Sequence, residues 1–325
     1  MPRLRRGAMI SALATFWMAG NIVAAGLAWL VIPRTWAHFS LGTLDFQSWR
    51  LFVVLCSVPS LTSALLFKLF MPESPKFLME AGQEKEAISV FRLMFELNIK
   101  GKRKAFPGLM PITQMFNGPL KSRSIALLIV FYCISFGYYG LWMWFPELFA
   151  RVEEGGSPCA NVSLPSPLLN QSCYPVKTAV YMEGFVIAAS NLPGNIFTIL
   201  MMDSTGGKAL LSCSLLVSSL SVFLIYAVQT KAQSLVLSCV FSGVSVIAWN
   251  ALDVVGTELY PTQLRSSALG FFTGVGRVAA IMGNVVFGKL VDTNCSIPVL
   301  LVSALLLTGG LVALLLPQTK QTELS

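Results

Sequence analysis

Charged side chains are scarce in this sequence. Only 12% of its 325 residues are Asp, Glu, Lys or Arg, whereas 55% are apolar and the mean hydropathy is +0.70. A soluble domain carries roughly 25% charged residues, because water must solvate its surface. The composition therefore argues against a soluble fold and predicts lipid as the main solvent.

The sequence also lacks the residue sets that catalysis and metal binding require. It has one histidine, His38, and its histidine and cysteines do not occur at metal-ligand spacing. It contains no recognisable nucleophile–base set or phosphate-binding loop. We therefore expect no enzyme and no cofactor. The net charge of +8 is spread between apolar runs instead of forming one basic patch, so nucleic acid is not an expected partner.

Eight long apolar runs occupy most of the chain. A helix needs about 20 predominantly apolar residues to cross a bilayer. Long strand-like alternation is absent, so the runs are predicted to be helices, which satisfy their backbone groups within each segment. The predicted spans are 9–32, 50–70, 125–148, 178–202, 209–228, 234–257, 267–289 and 297–316.

Lysine and arginine are distributed unevenly between the two sides that eight crossings define. With the N-terminus in the cytosol, fifteen of the 23 basic residues are cytosolic and six lie opposite, while Lys68 and Arg277 fall within spans. The positive-inside rule favours this orientation. Both termini are then expected in the cytosol.

The connection from 149 to 177 is consequently expected on the lumenal or extracellular side. It contains two N-glycosylation patterns, which begin at Asn161 and Asn170. It also contains Cys159 and Cys173, which lie outside the lipid on an oxidising side. The sequence therefore predicts glycosylation of this connection and a disulfide between the two cysteines.

A short pattern occurs twice, six spans apart. Pro-x-x-x-Arg precedes the first span at Pro2–Arg6 and the seventh span at Pro261–Arg265. Proline-containing segments also follow the second span, at 72–76, and the eighth, at 317–320. Internal duplication of this kind is typical of secondary transporters. If the repeating unit has six spans, four spans are expected before Met1.

Several motifs resemble known transporter sequences. They are Pro72–Lys76, Ser135–Trp142, Leu192–Ile196, Met202–Lys208 and Ala248–Val254. They resemble sugar and organic-ion transporters of the major facilitator superfamily, and more closely the synaptic vesicle glycoprotein 2 family. The resemblance implies an all-α membrane protein whose eight helices correspond to helices five to twelve of a twelve-helix bundle. This chain departs from it at Gly207, where the superfamily's loop motif has arginine, and in having a much shorter lumenal connection.

The resemblance also implies a domain organisation. Residues 1–71 would be the last two helices of the N-terminal half, and 72–123 a cytosolic connection that contains an amphipathic helical segment. Residues 124–316 would be the six-helix C-terminal half, and 317–325 a cytosolic tail.

Polar residues inside the spans are the first candidates for a site. A carboxylate such as Asp253 is costly at membrane depth unless it faces water or a partner. Helical spacing lets Trp249, Asn250 and Asp253 border one interior face, and Arg277 lies well inside the next span. Two interpretations stay open. These residues line a central cavity, or Asp253 and Arg277 form a structural ion pair that joins two helices near the cytosolic side.

Other candidates lie in the third span and in the connections. Tyr138 and Tyr139 either line the same cavity or belong to an interfacial aromatic belt. Four charged residues near cytosolic connections are predicted to act as a gate or loop motif: Asp203, Lys208, Glu258 and Arg265.

Two functions are compatible with the resemblance. The first is a multi-pass carrier that moves a small organic solute across the membrane of secretory or synaptic vesicles, or of the cell surface. The second is a transport-inactive vesicle protein that regulates or scaffolds secretion, or a shortened form of a full carrier. Membrane lipid and an unknown small solute are the expected partners, and no protein partner is identified.

Overall fold

The computed structural model describes residues 6–34, 38–41, 44–70, 72–73, 75–80, 82–97, 115–118, 120–155, 177–228, 230–260, 262–294 and 296–317. Helices dominate this part of the chain, and one small hairpin interrupts them. The elements in chain order are α1 (Arg6–Val31), β1 (Phe39–Leu41), β2 (Leu44–Phe46), α2 (Ser48–Phe70), α3 (Pro75–Glu80), α4 (Glu84–Leu97), α5 (Leu120–Gly155), α6 (Thr178–Thr205), α7 (Gly207–Ala227), α8 (Lys231–Glu258), α9 (Thr262–Asn294) and α10 (Ser296–Leu314).

Eight of these helices, α1, α2 and α5–α10, are long and apolar enough to cross a membrane. They coincide with the eight predicted spans, so an all-α membrane bundle is confirmed. Some helices extend beyond their predicted spans, since α5 has 36 residues and α9 has 33. At 1.5 Å of rise per residue, both are longer than the roughly 30 Å thickness of a bilayer core.

The described chain divides into two compact units. The first, Met1–Pro33 with Leu109–Ser325, contains α1 and α5–α10, and the second, Arg34–Gly108, contains the hairpin and α2–α4. This division follows from which helices pack together, and it does not test whether the sequence contains internal repeats. The predicted organisation into two halves, a connection and a tail therefore stays a prediction.

The second unit contains two features that differ from the sequence expectations. β1 pairs antiparallel with β2, with Phe39 opposite Phe46; strands this short carry no alternating pattern that could be recognised in advance. The amphipathic segment after α2 is two helices instead of one, because Gly82 separates α3 from α4 with a φ of 76°. This left-handed conformation is readily adopted by glycine.

Small and hydroxyl-bearing residues bring the helices of the first unit together. α5 packs extensively on α9, α7 on both α8 and α10, and α1 on α6. A β-carbon built on Gly140 of α5 would lie 3.4 Å from the α-carbon of Gly283 on α9. Ser219 and Ser303 each donate to the other's backbone carbonyl, at 2.7 and 2.9 Å. Such close contacts and interhelical hydrogen bonds hold helices together in lipid, which supplies no hydrophobic driving force between them.

A glycine pair forms the sharp turn between α6 and α7. Gly206 has a φ of 88°, and its N–H donates to the Met202 carbonyl at 3.1 Å. A β-carbon on the buried Gly207 would lie 2.9 Å from Cγ2 of Val255 on α8. The space next to Gly207 is thus filled by α8, so a larger side chain at this position would collide with Val255.

Candidate functional site

Asn195 of α6 connects three helices through its side-chain amide. Its Nδ2 donates to Oγ1 of Thr15 on α1 at 2.6 Å, and its Oδ1 accepts from Nδ2 of Asn250 on α8 at 2.7 Å. Both asparagines are buried. Burying an amide without a hydrogen-bond partner is costly, so the pairing explains how polar side chains are tolerated inside this apolar bundle.

A second polar link lies one helical turn away. Nε1 of Trp142 on α5 donates to Oγ of Ser242 on α8 at 3.2 Å, and Ser242 donates to Oδ1 of Asn191 on α6 at 2.6 Å. Asn191 and Asn195 are separated by four residues, so they lie on the same face of α6. This face of α6 therefore forms hydrogen bonds with α8 at two positions, one helical turn apart.

Aromatic rings of α5 and α8 form a cluster around Tyr138. The ring of Tyr138 lies 5.3 to 6.4 Å, between centroids, from each of four neighbours: Tyr139, Trp142, Phe241 and Trp249. The rings of Tyr139 and Trp249 are 5.8 Å apart. These separations are typical of favourable aromatic pairs. Three residues predicted from the sequence, Tyr138, Tyr139 and Trp249, therefore lie in one cluster.

Arg277 of α9 borders this cluster. Its guanidinium carbon lies 5.7 Å from the ring centroid of Tyr139, a distance at which a cation is attracted to the face of the ring. Asp253 is half-buried on α8, one turn beyond Trp249 and Asn250. Among the described residues no ion pair joins Asp253 to Arg277. The contact that a structural ion pair between Asp253 and Arg277 requires is therefore not observed in the described residues. A cavity-lining role for these residues stays a prediction.

The remaining predicted residues lie at or near helix ends or outside the described residues. Asp203 is exposed and Lys208 half-buried on either side of the α6–α7 turn, Glu258 is exposed at the end of α8, and Arg265 falls in α9. These positions do not test the predicted gate, which stays a prediction. The glycosylation and disulfide predictions concern Asn161, Asn170, Cys159 and Cys173, which lie outside the described residues.

Sequence reasoning did not place Thr15, Asn191, Asn195 or Ser242 in the site. A usable signal was present, because Asn191 and Asn195 are two amides four residues apart in an apolar span.

Two solved structures with a similar fold are those of membrane transporters. One is a major facilitator superfamily proton:xylose symporter, XylE, bound to 6-bromo-6-deoxy-D-glucose; the TM-score is 0.66 at 16% identity, over 98% of this chain and 66% of that one. Another is a partially occluded, inward-open xylose transporter XylE from E. coli, with a TM-score of 0.60 at 15% identity, over 100% and 66%. The fold is therefore a helical bundle of the major facilitator type.

Sequence comparisons identify nearer relatives. Residues 2–149 match the family model described as "Sugar (and other) transporter". Synaptic vesicle glycoprotein 2C of Homo sapiens is 27% identical over 98% of this chain, and glycoprotein 2B of Homo sapiens is 26% identical over 100%. Glycoprotein 2A of Rattus norvegicus is 25% identical over 97%. The predicted resemblance to the synaptic vesicle glycoprotein 2 family is thus confirmed.

The relatives are considerably longer than this chain. It spans 62% of the length of glycoprotein 2C, 67% of 2B and 61% of 2A. The alignment with 2C extends over 454 positions, whereas the chain has 325 residues. Within the aligned region, glycoprotein 2C therefore contains residues that have no counterpart in this chain.

Proposed function

We propose that the protein is a transporter-like membrane protein of secretory or synaptic vesicles, and that it moves a small organic solute past the amide and aromatic residues of α5, α6, α8 and α9. The names of the relatives and the sugar-transporter family match support this class over an enzyme. Membrane lipid surrounds the bundle, and the solute is the small-molecule partner.

The observation that carries the proposal is the amide link through Asn195. Polar groups inside a membrane bundle are costly and tend to mark solute pathways. The amides of Asn195 and Asn250 supply donors and acceptors for hydroxyl or carbonyl groups. Tyr139 and Trp249 supply apolar faces, and Nε1 of Trp249 is buried with no hydrogen-bond partner among the described residues. This combination of apolar walls with a few placed polar groups is typical of small-molecule sites.

The same link suggests how solute passage is coupled to helix movement. α1 belongs to the predicted N-terminal half, whereas α6 and α8 belong to the predicted C-terminal half. Carriers of this architecture work by rocking one half against the other around a central site. The bond between Thr15 and Asn195 crosses between the halves, so we expect it to break during transport while the bond between Asn195 and Asn250 persists.

Uptake by proteoliposomes that contain the purified full chain tests the proposal. Radiolabelled D-glucose and D-xylose are suitable first probes, because the family match is to sugar and other transporters. Trp249→Ala and Arg277→Gln are expected to reduce uptake about tenfold each, corresponding to roughly 1.4 kcal/mol of lost interaction. Trp29→Ala is the matched control, because the Trp29 ring packs on Phe185, at 5.7 Å, outside the cluster.

The outcomes distinguish the two functions. Uptake that equals that of empty liposomes, together with measurable equilibrium binding of a sugar, would support the transport-inactive alternative. Uptake that is unaffected by Trp249→Ala and Arg277→Gln would contradict the proposed location of the site. Absence of both uptake and binding would contradict a sugar solute.

A further inference from the structure

Three half-buried side chains on α5 and α8 lie on one accessible side of the bundle. Between residues 248 and 256 of α8, all residues except Trp249 and Asp253 are buried, and between 133 and 141 of α5, all except Tyr139 are buried. Trp249 and Asp253 are four residues apart, so they share one face of α8. The rings of Tyr139 and Trp249 lie 5.8 Å apart, between centroids. The accessible atoms of both helices are therefore close together.

Arg277 of α9 reaches the same side. The residue is exposed, and its guanidinium carbon lies 5.7 Å from the ring centroid of Tyr139. Arg277 and Asp253 thus flank the ring pair formed by Tyr139 and Trp249. The cation lies beside the first ring, and the carboxylate lies one helical turn from the second. Charged groups are costly against hydrocarbon, so we expect this side of the bundle to face water or a ligand.

The two charges have no counter-ions within the part of the chain that the structure describes. No ion pair there involves Asp253 or Arg277, and the two residues do not pair with each other. Both are incompletely buried, so a solute can reach them. A solute with a single negative charge would leave Asp253 without a cation, and one with a single positive charge would leave Arg277 without an anion.

We propose that the solute of this site is a small zwitterion, which rests on the proposed function because it specifies the solute class of the same site. The carboxylate of the zwitterion binds Arg277, whose guanidinium can donate two parallel hydrogen bonds to it. The ammonium group binds Asp253, next to the ring of Trp249, whose face attracts cations. The carbon chain that joins the two groups packs against the ring pair.

Equilibrium binding to the purified full chain in detergent, measured by isothermal titration calorimetry, tests the solute class. The probes are three matched series: the unbranched ω-amino acids from glycine to 6-aminohexanoate, the carboxylates that lack their amine, and the alkylamines that lack their carboxylate. The range of chain lengths is needed because the two charges are on different helices. At one length or more, the zwitterion should bind at least tenfold more tightly than either analogue, since hydrogen bonds to charged groups contribute about that factor.

Neutralising one residue at a time should change the selectivity of the site. In Asp253→Asn, the zwitterion and the carboxylate analogue of the best chain length are expected to bind equally. In Arg277→Gln, the zwitterion and the alkylamine are expected to bind equally. A purely structural role of either residue would instead weaken all three ligands together. Lys289→Gln is the matched control, because it removes an exposed cation of α9 outside the site and should retain the wild-type preference.

Two results would overturn the proposed solute class. In the first, no chain length binds the wild-type chain more tightly as the zwitterion than as both analogues. In the second, Asp253→Asn and Arg277→Gln each lower the affinity for all three ligands by the same factor.

Failure of transport gives a different result. A zwitterion preference without uptake into proteoliposomes would support the solute class and contradict the carrier function. Sugar uptake that Trp249→Ala reduces, without any zwitterion preference, would support the carrier function and contradict the solute class.

Discussion

Gly194 of α6 and Gly243 of α8 bring two helix backbones into direct contact. A β-carbon built on Gly194 would collide with the carbonyl oxygen of Gly243, and one on Gly243 would lie 2.9 Å from the carbonyl oxygen of Ser190. The contact lies beside both polar links from α6 to α8. Close approach of the backbones is what allows the short amide side chains to meet.

Gly194→Ala is therefore expected to push α6 away from α8. A backbone atom cannot move aside as a flexible side chain can, so the cost should be at least about 1–3 kcal/mol in the free energy of unfolding. The bond from Asn250 to Asn195 should weaken as well. Thermal unfolding in detergent, followed by tryptophan fluorescence, measures the loss.

Gly184→Ala is the matched control for that experiment, because it changes a glycine of the same helix where a β-carbon meets nothing within 4 Å. Better helix propensity should make it neutral or stabilising by about 0.5–1 kcal/mol. If both variants unfold at the same temperature, the glycine contact does not limit the packing of α6 on α8.

Tyr260 gives a second prediction, at the connection between α8 and α9. The residue is fully buried, and its hydroxyl lies 2.7 Å from Oγ of Ser124 on α5. Ser124 donates its own proton to the Met115 carbonyl at 2.6 Å, so Tyr260 acts as the donor to Ser124. Tyr260→Phe should lower the free energy of unfolding by about 1 kcal/mol.

The Tyr260 phenol also predicts a pH dependence. Burial raises its pKa above the ordinary value, and the Ser124 hydrogen bond and the charge of Arg123 oppose this increase. Because the folded state favours the protonated phenol, its contribution to stability is complete below the unfolded pKa of about 10 and declines as the pH rises through the folded pKa. Alkaline destabilisation should therefore be smaller in Tyr260→Phe than in wild type, and unchanged in Tyr226→Phe, which alters an exposed tyrosine.

The helices of this protein could be predicted from sequence because the length of an apolar run is local information. Each of the eight spans needed only its own residues to be recognised. The hairpin could not be predicted, because Phe39–Leu41 and Leu44–Phe46 are too short for a pattern. Likewise, nothing in the composition around Gly82 required its left-handed backbone conformation, which divides α3 from α4.

Only some of the site residues could be predicted from the sequence, for a related reason. Trp249 and Asn250 are conspicuous because a polar or aromatic residue stands out in an apolar span. Their partners depend on how each helix is rotated about its axis, and the partner of Asn195 on α1 is 180 residues away along the chain. Rotation also decides that Arg277 meets Tyr139 and forms no ion pair with Asp253 in the described chain.

An asymmetric ion pair joins α6 to α8 at their predicted lumenal ends. Nζ of Lys231 lies 2.8 Å from Oε1 of Glu183, with side-chain exposures of 37% and 3%. Oε2 of Glu183 is buried with no hydrogen-bond partner. The carboxylate thus depends on Lys231 for much of its stabilisation, whereas the ammonium group is also reached by solvent.

The asymmetry predicts that removing the cation alone lowers the free energy of unfolding more than removing both charges does. Lys231→Met leaves a buried carboxylate without its cation and should cost about 1–3 kcal/mol in the free energy of unfolding. Glu183→Leu/Lys231→Met should recover most of this loss, since an apolar pair can replace a buried ion pair. Thermal unfolding of the single and double variants in detergent measures the coupling. Lys289→Met, which alters an exposed lysine of α9, is the control, and equal stability of Lys231→Met and Lys289→Met would contradict a structural role for the pair.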